Sequence, residues 1–304
     1  MIDMNKSKFF NKFLKKINTS INSQLEKNLN RLKFNNLITL AKSNKIILTF
    51  VALFVLFVSY LLMPAFYKQS EISRELKADL LEKFNLEFQF SKDLNYNFFP
   101  RPHFIINDTS ILFKDEKLSN IEKLKIFIKL KNFFSVKNVD IKDIIIEKAN
   151  FNLNKENSNF FNILLTNDFQ DNTLAVKDSN IFFRNLANEV LFINKIKTMK
   201  YYYEVKELKN IVKSKNEIFN IPYEIKIFNF KNNNKVIFSE LDVSLIKLKI
   251  ENKLSYSNSI HHGIASLNYN KFKSAIEYET NKNFFKFNYY DKLENPKFKY
   301  VGNF

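Results

Sequence analysis

The sequence predicts a mainly β protein carried behind a single N-terminal transmembrane helix, and three observations lead there. Residues Ile46 to Tyr67 form one uncharged apolar run bounded by Lys45 and Lys68. Beyond residue 86 the apolar residues recur with period two, as in Lys123–Lys131 (KLKIFIKLK), where Leu124, Ile126, Ile128 and Leu130 share one face. Between residues 92 and 304 almost no stretch keeps the three-to-four spacing of an amphipathic helix, apart from short candidates at Ser158–Leu165 and Asn132–Val136.

The apolar run sets the membrane topology. At ~1.5 Å per helical residue it reaches about 33 Å, enough to cross a hydrocarbon core of roughly 30 Å. Thr49 and Ser59 are its only small polar residues, too few for the polar stripe of a soluble helix. Ile46, Phe50, Leu53, Phe57, Leu61 and Tyr67 mark the expected anchor. Before the run, ten Lys and Arg residues from Lys6 to Lys45 face only Asp3 and Glu26; after it, Lys68, Arg74 and Lys77 are balanced by Glu71, Glu75 and Asp79. The cationic flank stays in the cytoplasm, so residues 68–304 are expected outside. The long basic region, the long apolar core and the lack of a small-x-small site before Lys68 favour a retained anchor over a cleaved signal. The expected organisation is a cytoplasmic basic arm (1–45), the anchor (46–67) and one exported β-rich region (68–304). In the arm, Phe10, Phe13, Ile17, Ile21, Leu25, Leu29 and Leu32 make an apolar stripe suited to the membrane surface.

Composition narrows the function classes. Cysteine is absent, so no disulfide framework holds the exported region, which leans towards a bacterial envelope. The net charge of +17 is scattered along strand positions rather than gathered in a recognition helix. With only 2 Gly, 5 Pro and no Trp, the usage follows AT-rich codons, and nucleic acid is not expected as a partner. Catalysis finds little to stand on. His103, His261 and His262 are the only histidines, and adjacent His261 and His262 would point to opposite sides of a strand, so no metal site is expected. There is no nucleophilic Cys, no G-x-S-x-G and no glycine-rich phosphate loop. Asp140, Asp143 and Glu147 read as a solvated strand face, and no enzyme or cofactor is expected.

The elements follow in order. Ile72, Leu76, Leu80 and Phe84 keep i, i+4 spacing through Ser70–Phe84, with Glu71, Glu75 and Asp79 on the polar face; a helix ending near Asn85 is expected. Alternation then marks Leu86–Phe90, Tyr223–Phe230, Val243–Ile250, Ala275–Tyr278 and Phe284–Tyr290 as strands, with turns at Lys231–Asn234 and Ser257–Ser259. An antiparallel sheet with one apolar and one wet face results. Phe (35) and Tyr (13) crowd that apolar face, and few helices exist to cover it. Such a sheet must close on itself, pack on a second sheet, or leave an apolar trough.

The order of these pieces resembles the N-terminal domain of the AsmA family, envelope proteins of Gram-negative bacteria. The likeness rests on the anchor, the short helix and the strand Leu86–Ser91. It continues through Leu94–Pro102 with its Phe98-Phe99-Pro100, the strand His103–Ile111, the alternating Ile121–Lys131 and the turn Asn132–Val136. Asn138–Leu153 then closes with Ala149-x-Phe151-x-Leu153, and Asn180–Arg184, preceded by Leu174–Ser179, resembles the next family strand. It covers roughly residues 50–205, and the chain departs from the family by its shorter length. The resemblance implies an inner-membrane-anchored, strongly curved, elongated antiparallel β-sheet forming an apolar groove. It also implies a role in carrying phospholipid between membranes, in outer-membrane integrity and in outer-membrane protein assembly.

On that basis the expected groove residues are Leu86, Phe88, Phe90, Phe104, Ile106, Leu124, Ile126, Ile128 and Leu130. Their expected partners are phospholipid acyl chains, the inner membrane and other envelope proteins. About 12–14 strands at ~4.8 Å would give a sheet about 60–65 Å along its pairing direction. Each acyl CH2 buried there would gain ~0.8 kcal/mol. A non-enzymatic scaffold that pairs its strand edges with partner proteins is the alternative.

Overall fold

A computed structural model describes residues 45–90, 94–131, 133–161, 164, 172–257, 260–281, 283–291 and 295–303. The basic arm and its apolar stripe lie outside these residues, except for Lys45. Contacts within the chain divide it into two units, one ending at Tyr60 and one starting at Leu61.

Helix α1 spans Lys45–Leu62, and none of its residues is buried by protein. The Thr49 hydroxyl donates to the Lys45 carbonyl at 2.9 Å, which keeps that polar group satisfied inside the helix. The stretch long and apolar enough to cross a membrane runs from Lys45 to Phe66. Its last four residues, Met63–Phe66, form a 3-10 turn with Pro64 at its start, because proline cannot donate to a continuing α-helical ladder.

Helix α2 spans Gln69–Phe84 and buries the expected stripe of Ile72, Leu76, Leu80 and Phe84. Burying four such side chains contributes about 6–12 kcal/mol before entropy is counted. Glu71 in the first turn and Lys83 in the last suit the helix dipole. Asn85 ends the helix in a left-handed conformation, φ 53°, with its N–H donating to the Leu81 carbonyl at 3.0 Å.

Among the described residues fifteen strands follow in one sheet. They are β1 (Glu87–Gln89), β2 (Asn95–Asn97), β3 (His103–Phe113), β4 (Glu116–Ile128), β5 (Ile141–Leu153), β6 (Thr173–Arg184), β7 (Val190–Glu204) and β8 (Lys209–Ile218). After these come β9 (Ile221–Phe230), β10 (Asn233–Val243), β11 (Leu248–Ser255), β12 (His261–Tyr269), β13 (Phe272–Thr280), β14 (Phe284–Asp291) and β15 (Asn295–Asn303). The order is β1-β3-β4 and then sequential to β15, with β2 beside β3. The sheet is curved and does not close.

Two features depart from a plain antiparallel ladder. Strands β5 and β6 are parallel, Ile144 facing Leu174 and Ile146 facing Val176, a pairing that needs a connection longer than a hairpin, and 19 residues separate Leu153 from Thr173. The expected strand Val243–Ile250 is broken. Val243 ends β10, Ser244–Ile246 make a 3-10 turn, and Lys247 turns left-handed before β11 begins. The alternation of that segment comes from two strand ends meeting at a hairpin.

A third feature bends the sheet. Asp108, Lys148 and Asp178 all have left-handed φ angles of 51°, 54° and 47°. The pairings of Asn107 with Lys123, Lys123 with Glu147, and Glu147 with Lys177 set these three in one cross-strand row. Asn107 and Asp108 on β3 and Lys177 and Asp178 on β6 are exposed there in succession, and on β5 a half-buried Glu147 precedes an exposed Lys148. Burial then resumes one position out of phase: Ile106 then Thr109, Ile146 then Ala149, Val176 then Ser179. One left-handed residue per strand keeps the apolar side chains on the same face through the bend.

Candidate lipid-facing surface

Two rows of side chains can be followed from strand to strand across the apolar face. One runs Ile106, Leu124, Ile146, Val176, Met199, Ser214, Ile225, Leu241, Ile250, Leu267. Its neighbour runs Phe104, Ile126, Ile144, Leu174, Tyr201, Val212, Ile227, Ser239, Asn252, Ala265, Ile276. Neither row contains a charged residue. The charged side chains of the same strands alternate with them and occupy the other face.

The exposure of this lane changes along the sheet. From β3 to β6 its members are 0–2% exposed, and α2, which buries its own apolar stripe, packs beside β1 and β5. From β9 onward the same rows are half-exposed, Ile225, Leu241, Ile250 and Leu267 among them. The sheet therefore has a dry end near the helices and a partly uncovered apolar stretch beyond β8.

The expected groove residues fall mostly at the dry end. Phe104 faces Ile126 and Ile106 faces Leu124, and all four are sealed. Leu86, just before β1, and Phe88 on it are both buried, and Phe88 faces Ile111. Phe90 lies past β1, half-buried, with the Lys77 ammonium 5.1 Å from its ring. Ile128 ends β4 opposite Ile141 and is buried, whereas Leu130 lies beyond the strand and is 58% exposed. The half-exposed residues on β9–β13 were absent from that set. Their signal, the alternation in Tyr223–Phe230 and in the residues up to Ile250, was present, but alternation alone does not say which strands are covered.

Of the residues expected to mark the anchor, Ile46, Phe50, Leu53 and Phe57 are exposed along α1. Tyr67 stands just past the 3-10 turn and donates its hydroxyl to the Phe133 carbonyl, pinning the start of α2 to the segment after β4.

The lane is not uniformly apolar at β7–β9. The Tyr223 hydroxyl donates to Asn194 Oδ1 at 2.9 Å, and Ser214 Oγ donates to Asn216 Oδ1 at 2.7 Å. Asn210 and Asn229 face each other, and their buried Oδ1 atoms have no hydrogen-bond partner. Burial also pushes the Tyr201 phenol up, so it stays neutral throughout the physiological range.

The acidic residues singled out from the sequence are tied into ion pairs. Asp140 accepts from Lys83 and lies 3.1 Å from the Lys129 ammonium. Asp143 pairs with Arg101 at 3.0 Å and Glu147 with Lys125 at 2.7 Å. Burial pushes the Asp140 carboxyl up, but hydrogen bonds from Lys83 and Lys129 outweigh it and hold the group below its ordinary value. His262 lies 3.5 Å from Glu279, and the His261 ring packs edge-on against Tyr256. Among the described residues no His, Cys, Asp and Glu cluster could hold a metal ion.

Hollows of about 660 and 530 Å3 open on the charged face, the first at the bend around Asp108 and Lys148, the second over β6–β11. A profile of the AsmA family matches residues 40–289. No curated protein matches the chain.

Proposed function

Because this chain belongs to the AsmA family, we propose that it is an inner-membrane-anchored periplasmic protein of outer-membrane biogenesis that holds phospholipid acyl chains on the half-exposed stretch of its apolar lane. The N-terminus would lie in the cytoplasm, as the Lys and Arg bias of the flanks requires. The observation that carries the reading is the charge-free lane itself. It is continuous across consecutive strands, sealed at its helix end and partly uncovered from β9 to β13. Acyl chains laid there would cover surface that no element of the described chain covers, and each buried CH2 would add ~0.8 kcal/mol. No step of this function requires bond chemistry, so the protein acts as a non-enzymatic carrier or conduit.

The test is photocrosslinking in living cells with the full chain. A benzophenone side chain at Ile250 or Leu241 should capture phospholipid, and one at Lys273 on β13, which faces the other way, should not. Absence of lipid adducts at both inward positions would end this reading. The second reading, a scaffold that recruits envelope proteins, draws support from the unclosed sheet, whose terminal strand β15 pairs on one side only among the described strands. Protein adducts at β15 without lipid adducts in the lane would favour it.

A further inference from the structure

The charged face carries an arrangement that the apolar lane does not explain. Lys200 on β7 stands directly opposite Lys213 on β8, which stands directly opposite Lys226 on β9. Like charges facing one another on adjacent strands are unfavourable. Lys226 has a counter-charge in Glu240, 3.3 Å away on β10. Lys200 and Lys213 have no carboxylate partner among the described residues; both lean on the same Tyr202 ring, at 5.1 and 5.9 Å from its centre. Lys177, diagonal to Lys200 on β6, makes no ion pair among the described residues, and the Glu147 carboxylate opposite it on β5 is engaged by Lys125 at 2.7 Å. Lys177, Lys200 and Lys213 border the hollow of about 530 Å3, whose floor at Ala175 is only a methyl group and whose wall includes Thr198. Glu224, Glu240 and Asp242 line its opposite side, where Glu224 is engaged by Lys215 at 3.1 Å and Asp242 by the Ser244 hydroxyl at 2.7 Å.

We propose that this hollow binds a phosphate-bearing anion, held by Lys177, Lys200 and Lys213 on the face opposite the lipid lane. Three lysines bordering one hollow, with no guanidinium among its lining residues, suit a tetrahedral, multiply charged oxyanion better than a bidentate carboxylate. Such an anion supplies charge-assisted hydrogen bonds to ammonium groups that have no ion pair of their own among the described residues. An aromatic ridge adjoins the site: Phe228 and Phe238 stack at 5.0 Å, and the Lys226 ammonium lies 5.0 Å from the Phe228 ring. A free phosphate would use the hollow alone, whereas a lipid headgroup would also lay its first carbons on that ridge. The site is independent of the acyl-chain reading, since it occupies the other side of the sheet.

The experiment uses the full chain in a neutral detergent and follows its thermal midpoint at constant ionic strength. Two probes are added separately: inorganic phosphate, and dihexanoylphosphatidic acid below its micellar concentration. A saturable rise with phosphate is expected, weakened about tenfold in Lys200→Gln/Lys213→Gln. A control that removes equal charge elsewhere, Lys142→Gln/Lys155→Gln, should keep the wild-type response. Loss of response to the short-chain lipid alone in Phe238→Ser identifies the headgroup as the source, and an unchanged response identifies free phosphate. A non-saturable rise, equal in wild type and the lysine variant, is screening and overturns the proposal. Phosphorus NMR line broadening of phosphate by the wild-type protein, absent with the lysine variant, gives a second readout that does not depend on stability.

Discussion

The phenol ring of Tyr278 lies across Gly263, its partner on the neighbouring strand, so that any Cβ at position 263 would overlap ring atoms. From there the hydroxyl reaches one strand further and donates to Asn252 Oδ1 at 2.9 Å. One side chain thus spans β13, β12 and β11 on the half-exposed side of the lane, and the missing side chain at 263 makes room for it. Gly263→Ala should displace the ring, break the bond to Asn252 and cost about 1–3 kcal/mol. A double-mutant cycle with Tyr278→Ala in denaturant unfolding checks the mechanism: the glycine substitution should become nearly neutral once the ring is gone.

At the opposite end of the sheet, α2 is pinned to β5 by charge. Asp79 Oδ2 accepts from the Lys83 ammonium at 2.9 Å and from the Ile141 N–H at 2.7 Å, and Lys83 also bridges to Asp140. The Asp140 carboxyl is held below its unfolded value, so its contribution is complete above the unfolded pKa and is lost as the pH falls through the folded one. Unfolding midpoints measured across the acid range should drop in the wild type and drop less in Asp140→Asn. Equal slopes would remove Asp140 from the account.

The bend predicts a difference between two substitutions at one exposed position. Asp178 adopts φ 47°, where glycine is at ease and a β-branched side chain is not. Asp178→Gly should be neutral or stabilising, and Asp178→Val should cost about 1–2 kcal/mol. Urea unfolding of the two variants decides this. The reverse order would mean that the bend is not held by backbone conformation.

Charge placed in the lane should act differently at its two ends. Ile126 is 0% exposed, so Ile126→Glu buries an unpaired carboxylate and is expected to unfold the sheet. Ile250 is half-exposed, so Ile250→Glu should remain folded and lose lipid adducts in the lane. Circular dichroism together with lipid extraction from the purified variants separates the two results. A folded Ile126→Glu protein would show that the dry end opens.

By itself the sequence determined the elements with strong local signals. The apolar run specified α1, a helix long and apolar enough to cross a membrane. The i, i+4 stripe from Ile72 to Phe84 specified α2 and its end near Asn85, whose left-handed conformation the structure adds. Period-two alternation specified β1, β4, β9, β13 and β14 and assigned Leu124 and Ile126 to the apolar face, but β7, β8 and β12 carried no alternation clear enough to be read. It did not indicate the parallel joint between β5 and β6, since strand direction depends on where a long connection returns. It also misread Val243–Ile250, because a hairpin tip and a strand can share the same alternation. Only the tertiary structure decided which part of the apolar face is dry and which is uncovered, and that Lys200, Lys213 and Lys226 stand side by side. Burial and cross-strand neighbours are set by pairing between residues far apart in the chain, whereas periodicity records only which side of its own strand each residue occupies.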